Sequence, residues 1–154
     1  MSVQERLAAR GLSLPNPPQP LGSYTAVSQA GDLLFISGQL PLLEGKVVYQ
    51  GAVGSDLTLE EGRKAAELAA LNVLAQIGKH LGGFERLDHI VRVEGHITSP
   101  QGWLQQPTVL DGASDLFADV LREKAGHARA AYSEVQQPGN AAVILVVIAQ
   151  IKPA

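Results

Sequence analysis

Two periods of hydrophobic and polar positions run along this chain, and they divide it into elements. After Thr58, apolar residues at Ala65, Leu68, Ala69, Val73 and Ile77 recur every three or four positions. That spacing predicts one buried stripe of a long helix. Thr58 and Glu61 have the form of a capping box at its start, and Gly82-Gly83 would close it with residues that tolerate positive φ. A second helical pattern begins near Pro107 and carries Leu110, Ala113, Leu116, Phe117, Val120 and Leu121 as far as Gly126. Ser2 and Glu5 predict a third, short helix ending near Gly11.

Strand signals fill the remainder. Tyr24 to Gln29 and Asp32 to Ser37 are β-prone runs with a turn expected at Ala30-Gly31, and Leu33 to Ile36 is apolar on both faces, as in a strand covered on each side. A weaker strand is expected at Lys46 to Tyr49. From Ile90 to Thr98 the period is two, placing Val91, Val93, Gly95 and Ile97 on a core face and Arg92, Glu94 and His96 on a polar one. Strands Ala128 to Val135 and Ala141 to Ile151 end the chain, divided by the turn QQPGN. The order is three strands, helix, strand, helix, two strands. It predicts an α+β fold in which two helices cover one face of a mixed sheet, leaving an apolar second face that a homo-oligomer would bury. LPNPPQP, whose four prolines cannot enter a helix or a central strand, predicts an arm, so residues 1–20 read as a helix and arm and 21–154 as a single domain.

Totals narrow the function. The 154 residues suffice for one core, and 45% hydrophobic with 18% charged residues suits a folded chain rather than a disordered one. A net charge of -3 gives no electrostatic case for nucleic acid or anionic lipid. Cysteine is absent, which removes disulfides and thiolate chemistry and suits the cytoplasm. Glu5 and Arg6 interrupt any leader peptide, and the longest apolar run, AAVILVVIA, is about half a bilayer span, so no membrane association is expected.

The candidate chemistry is sparse. Four histidines, His80, His89, His96 and His127, lack the three- or four-residue spacing of helical metal ligands, so no metal is expected. No phosphate-binding glycine loop supports a nucleotide cofactor, and no G-x-S-x-G elbow presents a serine. Arg129, in GHARAAYSE, stands out. A guanidinium at the entrance of a buried strand needs an anion. One reading is a salt bridge to Glu134, Asp119 or a neighbouring subunit. The other is a small carboxylate ligand, admitted by the space that Ala128, Ala130 and Ala131 leave beside the cation.

LGSYTAVSQAGDLLFISGQLPL near the start and HARAAYSEVQQPGNAAVILVVIA near the end resemble the two signature segments of the RidA/YjgF family, also called L-PSP endoribonuclease-like, and the likeness runs from about Leu21 to Ile151. The resemblance implies a chorismate-mutase-like (bacillus-type) fold, in which three subunits pack their sheets into a barrel with ligand clefts between chains. It implies hydrolysis of reactive enamines and imines to 2-oxo acids and ammonia, without metal or cofactor. Carried over by position, Arg129 would hold the substrate carboxylate, the backbone amides of Gly38 and Ala131 would lie near it, Tyr24 would line the cleft and Ser37 its floor. The expected partners are a small carboxylate or 2-oxo/2-imino acid and two further copies of the chain.

The sequence departs from the family pattern at three positions. Val146 stands where deaminating members carry a glutamate that handles water. His127 replaces a proline, and Ala130 replaces a serine. His127 is thereby a candidate acid or base. The alternative to a 2-iminobutanoate/2-iminopropanoate-type deaminase is a non-catalytic binding module of the same fold, and the older ribonuclease label fits the acidic composition least.

Overall fold

A computed structural model describes all residues from Met1 to Ala154. The chain runs α1 (Val3–Ala9), β1 (Val27–Ala30), β2 (Leu33–Gln39), β3 (Leu42–Leu43), β4 (Lys46–Val47), α2 (Leu59–Leu81), β5 (Leu87–Thr98), α3 (Gln106–Leu121), β6 (Ala128–Glu134) and β7 (Val143–Ile151). Five strands form one sheet in the order β1-β2-β7-β5-β6, while β3 and β4 make a separate two-stranded ribbon. Only β5 and β6 are parallel, joined by the crossover that contains α3; the other pairs are antiparallel. No helix is long and apolar enough to cross a membrane.

Local chemistry explains where elements begin and end. The Thr58 hydroxyl accepts from the Glu61 amide while the Glu61 carboxylate accepts from the Thr58 amide, and Gly82 ends α2 in the left-handed region at φ 70°. At α1 only half of that arrangement forms: Ser2 accepts from the Glu5 amide, without the return bond. The first hairpin turns at Gly31-Asp32, one position later than expected, because pairing Ala30 with Leu33 puts the positive φ of 59° at Gly31 inside the loop. The weak strand shrinks to Lys46–Val47, since Glu44 and Gly45, both at positive φ, fold it tightly onto β3.

The core lies between the sheet and the α2/α3 layer. Leu34, Ile36, Val93, Ile97, Val143, Leu145, Val147 and Ala149 meet Ala66, Ala69, Val73, Leu110, Ala113 and Phe117, all buried. Leu7 of α1 is fully buried as well, so the N-terminal helix caps this layer rather than trailing from it. One register differs from the simple alternation. β5 pairs Ile90 with Ala149 and Arg92 with Ile148, leaving Val91 as an extra residue. This bulge puts Ile90, not Val91, on the buried face.

The opposite face is uncovered within the chain. Phe35, expected to be covered on both sides, is 42% exposed, and Ile144, Val146 and Ile148 are partly exposed beside it.

The two helices approach until their backbones touch. A Cβ at Gly112 of α3 would lie 2.1 Å from the Arg63 carbonyl oxygen of α2, a position no side chain can occupy without separating the helices. We predict that Gly112→Ala lowers the unfolding free energy by about 2 to 3 kcal/mol or more. A urea titration checks this; an unchanged midpoint would show that the layer yields at no cost.

Candidate functional site

The positions singled out by sequence fall into two groups on opposite edges of the sheet. Tyr24 and Ser37-Gly38 belong to the β1/β2 edge. Between Ile36 and Gln39 the register with β7 slips, so Ser37 and Gly38 form a bulge, where the Ser37 hydroxyl donates to Thr25 O at 2.7 Å. A Cβ at Gly38 would come within 3.1 Å of Ile144 Cγ2, which suits glycine there. Tyr24 and Gly38 line one narrow hollow with Gln76, Leu40 and the arm residues Pro18 and Pro20. The Tyr24 hydroxyl accepts from the Leu21 amide at 3.1 Å, which folds its own loop.

Arg129 and Ala131 belong to β6, at the other edge, and His127 immediately precedes that strand. Two strands separate them from β2, and at about 4.8 Å per strand the groups stand roughly 14 Å apart. One chain therefore does not bring them together. β6 nevertheless offers a free edge. Glu134 O accepts from the Ser99 amide on the β5 side, so the even-numbered residues of β6 bond to β5 and the amides of Arg129 and Ala131 turn outward.

Of the two readings of Arg129, the salt bridge is the one formed within the chain, with an acid that the sequence did not single out. The arginine side chain rises on the helix face, where Nη1 meets Asp111 Oδ1 at 2.7 Å and donates to Ser114 Oγ at 3.0 Å, while Nη2 donates to Pro107 O at 3.3 Å. Neither proposed partner is used: Asp119 bonds Arg10, and Glu134 bonds His96. The reason is the crossover, which lays the first turns of α3 over the start of β6. The charge is answered, but the fork is not filled. Asp111 engages through one oxygen, Nε has no acceptor in the chain, and the side chains are 29% and 43% exposed for Arg129 and Asp111. Such a partly exposed ion pair contributes about 0 to 1 kcal/mol.

His127 shares the serine with Arg129. Its Nε2 lies 2.9 Å from Ser114 Oγ and its Nδ1 2.7 Å from Ala125 O, and the ring stands edge-on to Phe117. A second polar group, on the open face, was legible only in part. His96 and Glu94 do share that face, as the alternation indicated, and His96 finds further partners on β6. His96 Nδ1 lies 2.9 Å from Glu134 Oε1, Nε2 lies 3.7 Å from Glu94 Oε2, and the ring stacks on Tyr132. Glu94 also accepts from Arg92 Nε at 3.1 Å and is the direct cross-strand partner of Val146. A carboxylate thus stands beside the position where the resemblance led us to expect one. Only the strand order reveals it. No three His, Asp or Glu side chains are arranged to hold a metal ion. A surface hollow of about 520 Å³ between the Pro15–Gln19 stretch and the β3/β4 ribbon contains none of Tyr24, Ser37, Gly38, His127, Arg129 and Ala131.

A mixed sheet with two helices on one face, a bulged SGQ segment toward one edge and an arginine strand at the other defines an α+β class. The family model described as "YjgF/chorismate_mutase-like, putative endoribonuclease" matches residues 4–151, and the chain belongs to this family, with its chorismate-mutase-like fold. It is 35% identical over 142 residues to Protein TCP17 of Trypanosoma cruzi, covering 92% of this chain and 89% of that one. Among solved structures it resembles a "putative endoribonuclease" of Shewanella oneidensis, with 37% identity, TM-score 0.93 and coverage of 97% and 99% of the two chains. It also resembles Atu1372 of Agrobacterium tumefaciens, with 36% identity, TM-score 0.91 and coverage of 97% and 94%.

Because Glu94 faces Val146, restoring a glutamate at 146 would set two carboxylates directly across an antiparallel pair. Val146→Glu is expected to lower stability by about 1 kcal/mol or more. The loss should shrink in Val146→Glu/Glu94→Gln, measured by urea midpoint. Equal losses in the two backgrounds would contradict the pairing.

Proposed function

We propose that the chain forms a homotrimer whose clefts, each built from the β1/β2 edge of one copy and the β6 edge of the next, take a small carboxylate such as a 2-oxo or 2-imino acid. The observation that carries this reading is the placement of Tyr24, Ser37 and Gly38 on one sheet edge and Arg129 and Ala131 on the other, with a partly apolar face uncovered between them. Packing those faces together would bury Phe35, Ile144, Val146 and Ile148 and bring unlike edges to a shared boundary. Escherichia coli TdcF, a fold neighbour with 18% identity and TM-score 0.63, holds a bound serine, so a protein of this fold accepts a small carboxylate.

In the cleft, Arg129 would receive the ligand carboxylate on its free Nε–H and the second N–H of Nη2, with the outward amide of Ala131 as a further donor. Asp111 then competes with the ligand rather than assisting it. Hydrolysis of a 2-imino acid to a 2-oxo acid and ammonia is the reaction this geometry suits, since fixing the carboxylate sets the neighbouring C=N carbon within reach of one water. A second reading, binding without catalysis, is favoured by Val146 and by the resident Asp111. Generation of 2-aminoacrylate in situ separates the two: ammonia release above the buffer rate supports the deaminase, and release at the buffer rate leaves a binding module. A net charge of -3 gives the ribonuclease reading no support.

Two measurements test the cleft. Sedimentation is expected to show a trimer that Phe35→Asp dissociates, because a carboxylate would enter the buried face; a monomeric wild type would remove the cleft. Titration calorimetry with 2-oxobutyrate is expected to lose about 2 kcal/mol in Arg129→Ala and to gain about two- to fivefold in affinity in Asp111→Asn. Unchanged affinity in both variants would remove Arg129 from the site.

A further inference from the structure

With a neutral imidazole, the hydrogen bonds around Ser114 have one consistent direction. Ala125 O is a carbonyl and can only accept, so the proton on the His127 ring sits on Nδ1, 2.7 Å away. In the neutral ring Nε2 is then an acceptor, and the group 2.9 Å from it is the Ser114 hydroxyl, which donates. Arg129 Nη1 can only donate, and it does so to the same oxygen at 3.0 Å. The chain of bonds therefore runs from guanidinium to serine to imidazole, with the far ring nitrogen fixed by the backbone.

This arrangement has the parts of an activated hydroxyl. A base holds the proton, a third group orients the base, and a cation stabilises negative charge developing on the oxygen. The backbone is strained to build it. His127 sits at φ 73°, a region uncommon for a residue with a side chain, immediately after Gly126 at φ 33°. The edge-on contact with Phe117, centroids 6.0 Å apart, limits rotation of the ring. All three side chains are partly rather than fully buried, so water can reach them.

We propose that Ser114 and His127 are the proton-transfer pair of the Arg129 site, an inference that rests on the deaminase reading above. As water adds to the carbon of a bound iminium, its oxygen forms the C–O bond and its proton passes to Ser114 Oγ while the serine proton moves to His127 Nε2. The C=N π pair goes to nitrogen, giving a neutral carbinolamine and an imidazolium. The imidazolium returns its proton through Ser114 to the amino nitrogen, and the C–N bond breaks as the hydroxyl oxygen forms C=O. The hydroxyl proton leaves through the same pair to the departing ammonia, giving a 2-oxo acid and ammonium from iminium and water. Val146 then needs no acidic replacement on β7, because protons are handled from α3 and the start of β6.

The test is steady-state release of ammonia from 2-iminobutanoate generated in situ, using the full trimer. Ser114→Ala and His127→Gln are expected to lower kcat about 10- to 100-fold with KM within about twofold, and the double variant to be no worse than the poorer single one. Ser114→Thr, which keeps the hydroxyl, should retain kcat within about threefold. Sedimentation and melting of each variant identify losses that come from unfolding; where Ser114→Ala does not fold, Ser114→Thr and the imidazole 15N shifts of the wild type still decide. Wild-type activity with unchanged kcat in Ser114→Ala, or shifts showing the proton of His127 on Nε2, would overturn the relay while leaving the deaminase standing. A wild type without turnover would overturn the deaminase reading itself and the relay with it.

Discussion

Two helices can cover only one face of a five-stranded sheet, and most of what this chain does follows from that limit. α2 and α3 approach so closely over the sheet that Gly112 meets the Arg63 carbonyl, which makes the helix layer thin and continuous. β7, at the centre of the sheet, sends Val143, Leu145, Val147, Ala149 and Ile151 into that layer and Ile144, Val146 and Ile148 to the other side. A central strand apolar on both faces is stable only if both are buried. The uncovered face is thus a consequence of having two helices, and the same packing fixes which residues lie on the edges.

Charge around Arg129 shows how a crossover changes the meaning of a residue. In the linear sequence the guanidinium is surrounded by alanines, with Glu134 shortly after it and Asp119 further back among the acids that could answer it. Folding takes both away: Glu134 turns to the open face toward His96, and Asp119 binds the arginine that ends α1. The hydrogen bond to Asp119 holds the Arg10 guanidinium above its ordinary pKa against the opposing effect of burial, and the hydrogen bond to Glu67 adds to it. Asp111, eighteen positions before Arg129, becomes the partner because α3 returns over β6. A resident, singly engaged and half-exposed carboxylate leaves the cation neutralised yet still able to exchange.

The same packing divides polar chemistry between the two sheet faces. On the helix face, Arg129, Ser114 and His127 share one oriented hydrogen-bond chain. On the open face, Arg92, Glu94, His96, Tyr132 and Glu134 form a separate network beside the apolar stripe of β7. Opposite charges at close spacing let that network be buried against another surface at modest cost.

Elements were legible in the sequence where their cause is local. The Thr58/Glu61 capping box, the Gly82 stop, the apolar stripe of α2 and the alternation through Val93, Gly95 and Ile97 each depend on neighbours within one or two turns, and each stands in the structure. The uncovered face, too, followed from counting helices against strands. What the sequence could not decide depends on which strand or helix lies alongside. The bulge that exchanges Val91 for Ile90 is set by register against β7, the pairing of Glu94 with Val146 by strand order, and the Asp111 and Ser114 contacts of Arg129 by the path of the crossover. Such contacts join residues far apart in the chain, and no local periodicity encodes them; only the tertiary packing does.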